Sequence, residues 1–349
     1  MHIPDGYLSP ATAAVMYAAS APFWYRASQK IKTLVTGRFV PMIALFAAFA
    51  FVVQMFNIPL PGGTTGHAVG ATLATIVLGP WASVLAVSVA LIIQALFFGD
   101  GGILAIGANV FNMAIAMSFV AFWVYRAISG DAPITSSRRI VAAAIAGYVA
   151  INAAALLTAI ELGIQLMLFR DAAGRAIYFP YGLQVAIPAM MLGHLTIAGA
   201  VEAIVTGLVV AWLQRTNPEL LETFSGGRPG AVAGMPHWAW TGLLALIALT
   251  PIGLLAPGTA WGECGREELE QLGFGYIPAG FDQWSSFWSA PIPDYDIPAL
   301  ENPTVAYVAS AVFGVALVLA AIFALAWLFA RLLGATQPAS TRMGDEERG

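Results

Sequence analysis

Three nitrogens stand together at the start of this chain. The sequence opens MHIPDG, so a free α-amine, the His2 amide and the His2 imidazole lie within two residues and can close two small chelate rings around one metal ion. A planar set of nitrogens suits Ni(II) or Cu(II), whereas Mg(II) and Ca(II) take oxygens and Zn(II) takes a tetrahedron. The chemistry depends on position, because the same dipeptide inside a chain lacks the amine. Ile3, Pro4, Asp5 and Gly6 then spell a turn ahead of an apolar run, Pro4 fixing one φ and Gly6 permitting a positive one. The terminus is therefore expected to be shaped rather than frayed. His67 offers a fourth nitrogen. It follows a loop in which Gly62, Gly63 and Gly66 permit close backbone approach, and it would complete a four-nitrogen plane with Met1 and His2.

Other polar groups stand out because their surroundings are apolar. Asn109 and Asn112, in GDGGILAIGANVFNMA, are three apart and share a helix face, so their amides either orient ligands and line the ion's path or tie helices together. Asp100, at the outer mouth, either attracts cations or is a solvated loop aspartate. His194 and Glu202 lie in GHLTIAGAVEAIVTG, and an ionisable group inside a membrane span needs a reason to be there. Eight residues of helix is about 12 Å, so the two cannot share one ion; one can brace the core while the other faces a partner. Glu161 and His237, near span ends, read as solvated. Ala14 and Ala18 are four apart in an alanine-rich first span, a spacing that lets helices approach closely, within this chain or from outside it.

These groups must be carried by membrane helices. The 349 residues are 59% hydrophobic and 10% charged, with a mean hydropathy of +0.78, the composition of a polytopic membrane protein. With no early Lys or Arg, the N-terminus does not read as a cleaved signal, and it is expected to be mature as written. Cys264 stands alone, so no intrachain disulfide framework exists. Apolar runs cover 8–25, 39–58, 66–98, 103–125, 140–161, 186–213, 238–257 and 303–330. As a single helix, 66–98 would run to about 50 Å, too long for a bilayer, so Gly79 and Pro80 must make a turn. That hairpin gives nine spans with the N-terminus outside and the C-terminus inside. It leaves only Arg170, Arg175 and Arg266 among the outer basic residues, the bias expected of a cytoplasmic positive charge.

The polar, Gly- and Pro-rich stretch 215–237 reads as a cytoplasmic linker between a seven-span module, 1–214, and a two-span segment, 238–334, with a cytoplasmic tail at 335–349. The outer loop at 258–302 carries Trp261, Tyr276, Phe281, Trp284, Phe287, Trp288 and Tyr295, either as an interfacial aromatic belt or as a lid. No phosphate-binding Gly-x-x-x-x-Gly-Lys-Ser/Thr, His-Glu-x-x-His or nucleophile elbow occurs, and no basic patch suits nucleic acid.

MHIPDGYLSP, the GxxGH motif ending at His67 and the stretch Gly99–Ala114 resemble signatures of the nickel and cobalt substrate-capture (S) components of energy-coupling factor transporters, the NikM/CbiM group. The resemblance covers 1–214. It implies an all-α polytopic protein of the cell (inner) membrane, with Met1, His2 and His67 as ligands of a transported Ni(II) or Co(II). It implies no cofactor and no enzyme activity, since ATP would be hydrolysed on two separate ATPase subunits joined through a transmembrane coupling protein. Ala14 and Ala18 would lie on the docking face for that protein. Residues 238–334, with TPIGLLAPGTAWGE, look like the NikN-like accessory segment fused to nickel members, which favours nickel. The rival is a self-sufficient permease or channel driven by an ion gradient or the membrane potential, which would need charged groups along a continuous path.

Overall fold

The computed structural model describes residues 1–32, 39–61, 64–225, 237–256, 259–271 and 275–332. Gly62, Gly63, linker residues 226–236 and the tail at 335–349 lie outside the described residues. Helix α1 (Pro10–Lys32) starts where Ser9 Oγ accepts the Thr12 N–H at 3.0 Å, with Pro10 in the first turn, where its missing N–H costs nothing. Helix α2 (Phe39–Gln54) leads into a short antiparallel hairpin, β1 (Ile58–Leu60) and β2 (Thr64–Gly66), that pairs Ile58 with Gly66. Helix α3 (Ala71–Leu78) and helix α4 (Pro80–Phe98) follow, then α5 (Ile106–Ser129), α6 (Ser137–Leu168), α7 (Leu183–Thr216), α8 (His237–Leu255) and α9 (Pro303–Leu332).

Helices α4 to α9 are each long and apolar enough to cross a membrane, and α2 is apolar but shorter. Leu192, Ile204 and Leu208 stand exposed along α7, as side chains facing lipid do. The chain is a multi-pass membrane protein. The turn expected at Gly79 and Pro80 is present: Gly79 has φ 86°, Pro80 opens α4, and Ser83 Oγ donates back to the Ala71 carbonyl at 3.0 Å. Its first arm differs from the expected span. Pairing of β2 with β1 and the left-handed Gly70 (φ 78°) keep residues 64–70 out of the helix. The eight residues of α3 therefore reach only about 12 Å.

Three of the long helices contain a π turn, at 94–98 in α4, 110–116 in α5 and 194–198 in α7. Each inserts a residue into the helical repeat and redirects the side chains that follow. The C-terminal pair is packed against the rest: α9 lies along α2 and α4, and α8 lies against α2. At the α9 crossing, Gly314 faces the ring of Phe51, and a Cβ there would overlap it. Overpacking costs about 1–3 kcal/mol, so Gly314→Leu is expected to lower the thermal midpoint of the detergent-solubilised protein. Gly242→Leu on α8, where a side chain meets nothing within 4 Å, should not. Equal midpoints would mean that the α9–α2 contact is not closely packed.

Candidate metal centre

The first nine residues are pinned across one end of the helices. Ile3 donates its N–H to Asn109 Oδ1 at 2.7 Å, and its carbonyl accepts from Asn109 Nδ2 at 3.1 Å and the Gly102 N–H at 2.8 Å. One amide thus satisfies both the N–H and the C=O of one residue, and the chain between Asp100 and Asn109 forms its bed. The Asp5 carboxylate accepts the N–H groups of Ile103 and Leu104 at 3.0 and 2.8 Å. Gly102 has no room for a Cβ, because Asp5 occupies that space. Further on, Tyr7 donates to the Cys264 carbonyl at 2.8 Å and packs between Phe179 and Phe281, and the Ser9 N–H donates to Gln165 Oε1 at 3.0 Å.

This pinning brings the candidate nitrogens together. His2 Nδ1 lies 3.3 Å from His67 Nε2, with the ring centroids 5.0 Å apart, and both side chains are buried. Metal–nitrogen bonds of about 2 Å at a right angle separate neighbouring donors by about 2.8 Å, so the pair is close to the spacing of adjacent ligands. His67 Nδ1 faces the Ala68 carbonyl at 3.1 Å, and a proton held there leaves the Nε2 lone pair free. The Met1 amino group forms an ion pair with Glu263 at 2.7 Å, and His2 Nδ1 meets Asp100 Oδ1 at 2.9 Å. One donor atom from each of His2, Asp100 and Glu263 falls within 4.8 Å of the others.

Asp100 is not the free loop aspartate that its position suggests. Its second oxygen accepts from the Tyr295 hydroxyl at 2.7 Å, and Tyr295 stacks on Phe98 at 4.7 Å. Burial alone would raise the Asp100 carboxyl, but the His2 ring beside it, with the Tyr295 hydroxyl, holds it well below the usual carboxylate range. A cavity of about 290 Å³ opens onto this group, lined by His2, His67, Asp100, Glu263, Asp294 and Tyr295 among others.

The other residues singled out in the sequence have separate places. Asn109 holds the terminus. Asn112 turns away and donates to Thr158 Oγ1 at 3.1 Å and Glu161 Oε2 at 2.8 Å, because the π turn at 110–116 intervenes. Glu161 is buried, contrary to its reading as a solvated span end, since α6 continues seven residues past it to Leu168. His194 bonds through Nδ1 to the Met190 carbonyl at 2.8 Å and shares a small cavity with Met1. Glu202 accepts from the Val69 N–H at 2.9 Å and the Gly70 N–H at 3.4 Å. Ala14, Ala18 and His237 are exposed. Sequence reasoning missed Glu263 and Tyr295. Both lie in the aromatic, acid-bearing outer loop, but nothing in its spacing ties one acid to residue 1. Of that loop, Phe281 and Tyr295 turn inward, whereas Phe287 and Trp288 stay exposed.

Fold and site define a class: a multi-pass membrane protein whose N-terminal segment folds back and brings its nitrogens beside the carboxylates of Asp100 and Glu263 at a cavity. The chain belongs to the family described as "Cobalt uptake substrate-specific transmembrane region", whose profile matches residues 2–220, and a PDGLE domain matches residues 236–331. It is 51% identical over 337 residues to the fused nickel transport protein NikMN of Rhodobacter capsulatus, covering 92% of this chain and 96% of that one. It is 46% identical to the "Probable fused nickel transport protein LarMN" of Lactiplantibacillus plantarum, covering 78% and 80%. A crystal structure of a transition metal transporter, 53% identical, superposes with a TM-score of 0.59 and covers 65% of this chain and all of its own.

The Asn109 clamp makes a prediction about access to Met1. Losing a buried bond of this kind costs about 1–3 kcal/mol, so Asn109→Ala should raise the rate at which an amine-acylating reagent labels the Met1 amine by about tenfold or more. Asn112→Ala should leave that rate unchanged. Similar labelling of both variants would show that the clamp does not hold the terminus.

Proposed function

We propose that this chain captures Ni(II), with Co(II) the close alternative, as the substrate-specific membrane component of an energy-coupling factor uptake system. The observation that carries the reading is the pairing of His2 Nδ1 with His67 Nε2 at 3.3 Å, in a cavity whose neighbouring Met1 amine is held by Glu263 at 2.7 Å. The ligands are the Met1 amine, the His2 amide and imidazole, and His67. Asp100 and Glu263 attract the ion and stand behind the nitrogens: each is paired with one of them, and each is free to balance the ion's charge as the nitrogens turn to the metal. Nickel is preferred because four planar nitrogens suit a d⁸ ion and because the relatives with the same two-part organisation are named as nickel transport proteins.

In this reading the N-terminus faces outside and the C-terminus inside, with the 71–98 hairpin counted among nine membrane segments. Residues 1–214 form the capture module, 215–237 the linker and 238–334 the accessory segment. A separate transmembrane coupling protein docks on the α1 face that carries Ala14 and Ala18, and two ATPase subunits drive release to the inside.

Calorimetry with Ni(II) and Co(II) tests the site, using the wild-type chain and His2→Ala. The substitution keeps the amine and His67 but removes the imidazole between them. Losing that ligand and its chelate ring should weaken Ni(II) binding by at least about 100-fold, and wild-type affinity should fall as pH is lowered, because the ligands must shed protons to bind. Unchanged binding by His2→Ala would place the ligands elsewhere. Uptake by cells lacking the ATPases separates the coupled system from a self-sufficient permease: undiminished uptake would sink the coupled one.

A further inference from the structure

Glu202 is 1% exposed, and among the described residues no cation pairs with it and its Oε1 has no partner. A carboxylate so enclosed loses most of its hydration, and an apolar side chain would fill the same space without that loss. What it does make is a pair of backbone bonds. Oε2 accepts from the Val69 N–H at 2.9 Å and the Gly70 N–H at 3.4 Å, at the point where the chain passes from His67 into α3. Gly147 on α6 allows the close approach of α7 that this requires, since a Cβ there would crowd the backbone and Cγ of Glu202.

The segment it grips leads directly from a ligand. His67 is two residues from Val69, outside any helix, and its ring is otherwise oriented by the contact of Nδ1 with the neighbouring Ala68 carbonyl. Apart from the His67 ring itself, Glu202 is the one side chain among the described residues given a bond to the backbone of 68–70. Metal binding by preset ligands tolerates displacements of only about 0.5 Å, so whatever fixes Val69 fixes how far His67 Nε2 reaches toward His2. The same helix touches the other half of the site, because His194, eight residues before Glu202 on α7, lines a small cavity with Met1.

We propose that Glu202 is a positioning residue for His67: by clamping the Val69 and Gly70 amides it sets the reach of the His67 ring toward His2, and through α7 it ties that setting to the helix beside Met1. The inference rests on the proposed Met1, His2 and His67 chelate.

The test measures Ni(II) affinity and the visible ligand-field absorption of bound Ni(II) in Glu202→Ala, Glu202→Gln, His67→Ala and His2→Ala. Glu202→Gln keeps an acceptor facing Val69 and should bind within about threefold of wild type, whereas Glu202→Ala should bind about 10- to 100-fold more weakly. The spectrum of Glu202→Ala should move toward that of His67→Ala, a change that mere loss of stability would not produce in the bound fraction. If Glu202→Ala does not yield folded protein, Glu202→Asp, which draws the carboxylate back by one methylene, is read the same way. Wild-type affinity and spectrum in Glu202→Ala or Glu202→Asp would overturn the role of Glu202. Wild-type binding by His2→Ala would instead overturn the chelate beneath it.

Discussion

Everything around the N-terminal segment depends on the paired bonds between the Asn109 amide and the backbone N–H and C=O of Ile3. A chain terminus ordinarily frays, because a few residues cannot bury enough surface to offset the entropy of ordering them. Here a single side chain presents both an acceptor and a donor to the backbone of one residue in a buried place, where leaving either unpaired costs more than the bond itself contributes. With Ile3 fixed, His2 is one residue from an anchor and has little freedom left. The glycines at 101 and 102 follow from the same constraint, since the terminal segment lies on them. Such a bed suits a ligand set that must exist before the ion arrives.

Irregular helix supplies the rest of the geometry. Each π turn begins at or two residues before a polar group that a regular helix would aim elsewhere: Gln94, which donates to the Tyr295 hydroxyl at 3.2 Å; Asn112, bonded to Glu161; and His194, beside Met1. One extra residue per turn lets Asn109 face the terminus while Asn112, three positions on, faces α6. The helices thus serve two neighbours within one turn, which regular periodicity does not allow.

Much of this was legible in the sequence, and the reasons for success and failure are local. The amine beside His2, the turn at Pro4 to Gly6, Gly66 before His67 and the break at Gly79 all act within a few residues, where residue type fixes conformation. Glu161 failed because a helix end was set at an acid, when the apolar run continues through Leu162, Ile164 and Leu166 past it. The face shared by Asn109 and Asn112 failed because a π turn leaves no mark in a hydrophobic pattern. Glu263 and Tyr295 were out of reach for a different reason: their partners, Met1 and Asp100, are some two hundred residues away or more, and one acid among several in a loop looks like its neighbours.

Those two residues bear on what the C-terminal segment is for. A cavity that takes in a divalent cation beside a buried amine needs a negative charge next to that amine while no ion is bound. Asp100 meets His2 from within the part that the cobalt-uptake profile matches, but the partner of Met1 comes from the part that the PDGLE domain matches, and Tyr295 from that same part fixes Asp100. The proposed metal site is therefore walled and charge-balanced in part by residues of the PDGLE domain. A chain that lacks them has to supply another partner for its amine or hold its terminus less firmly. Fusing the two parts in one chain keeps Glu263 at a high effective concentration beside Met1, which gives the covalent linkage a direct physical consequence for the pocket.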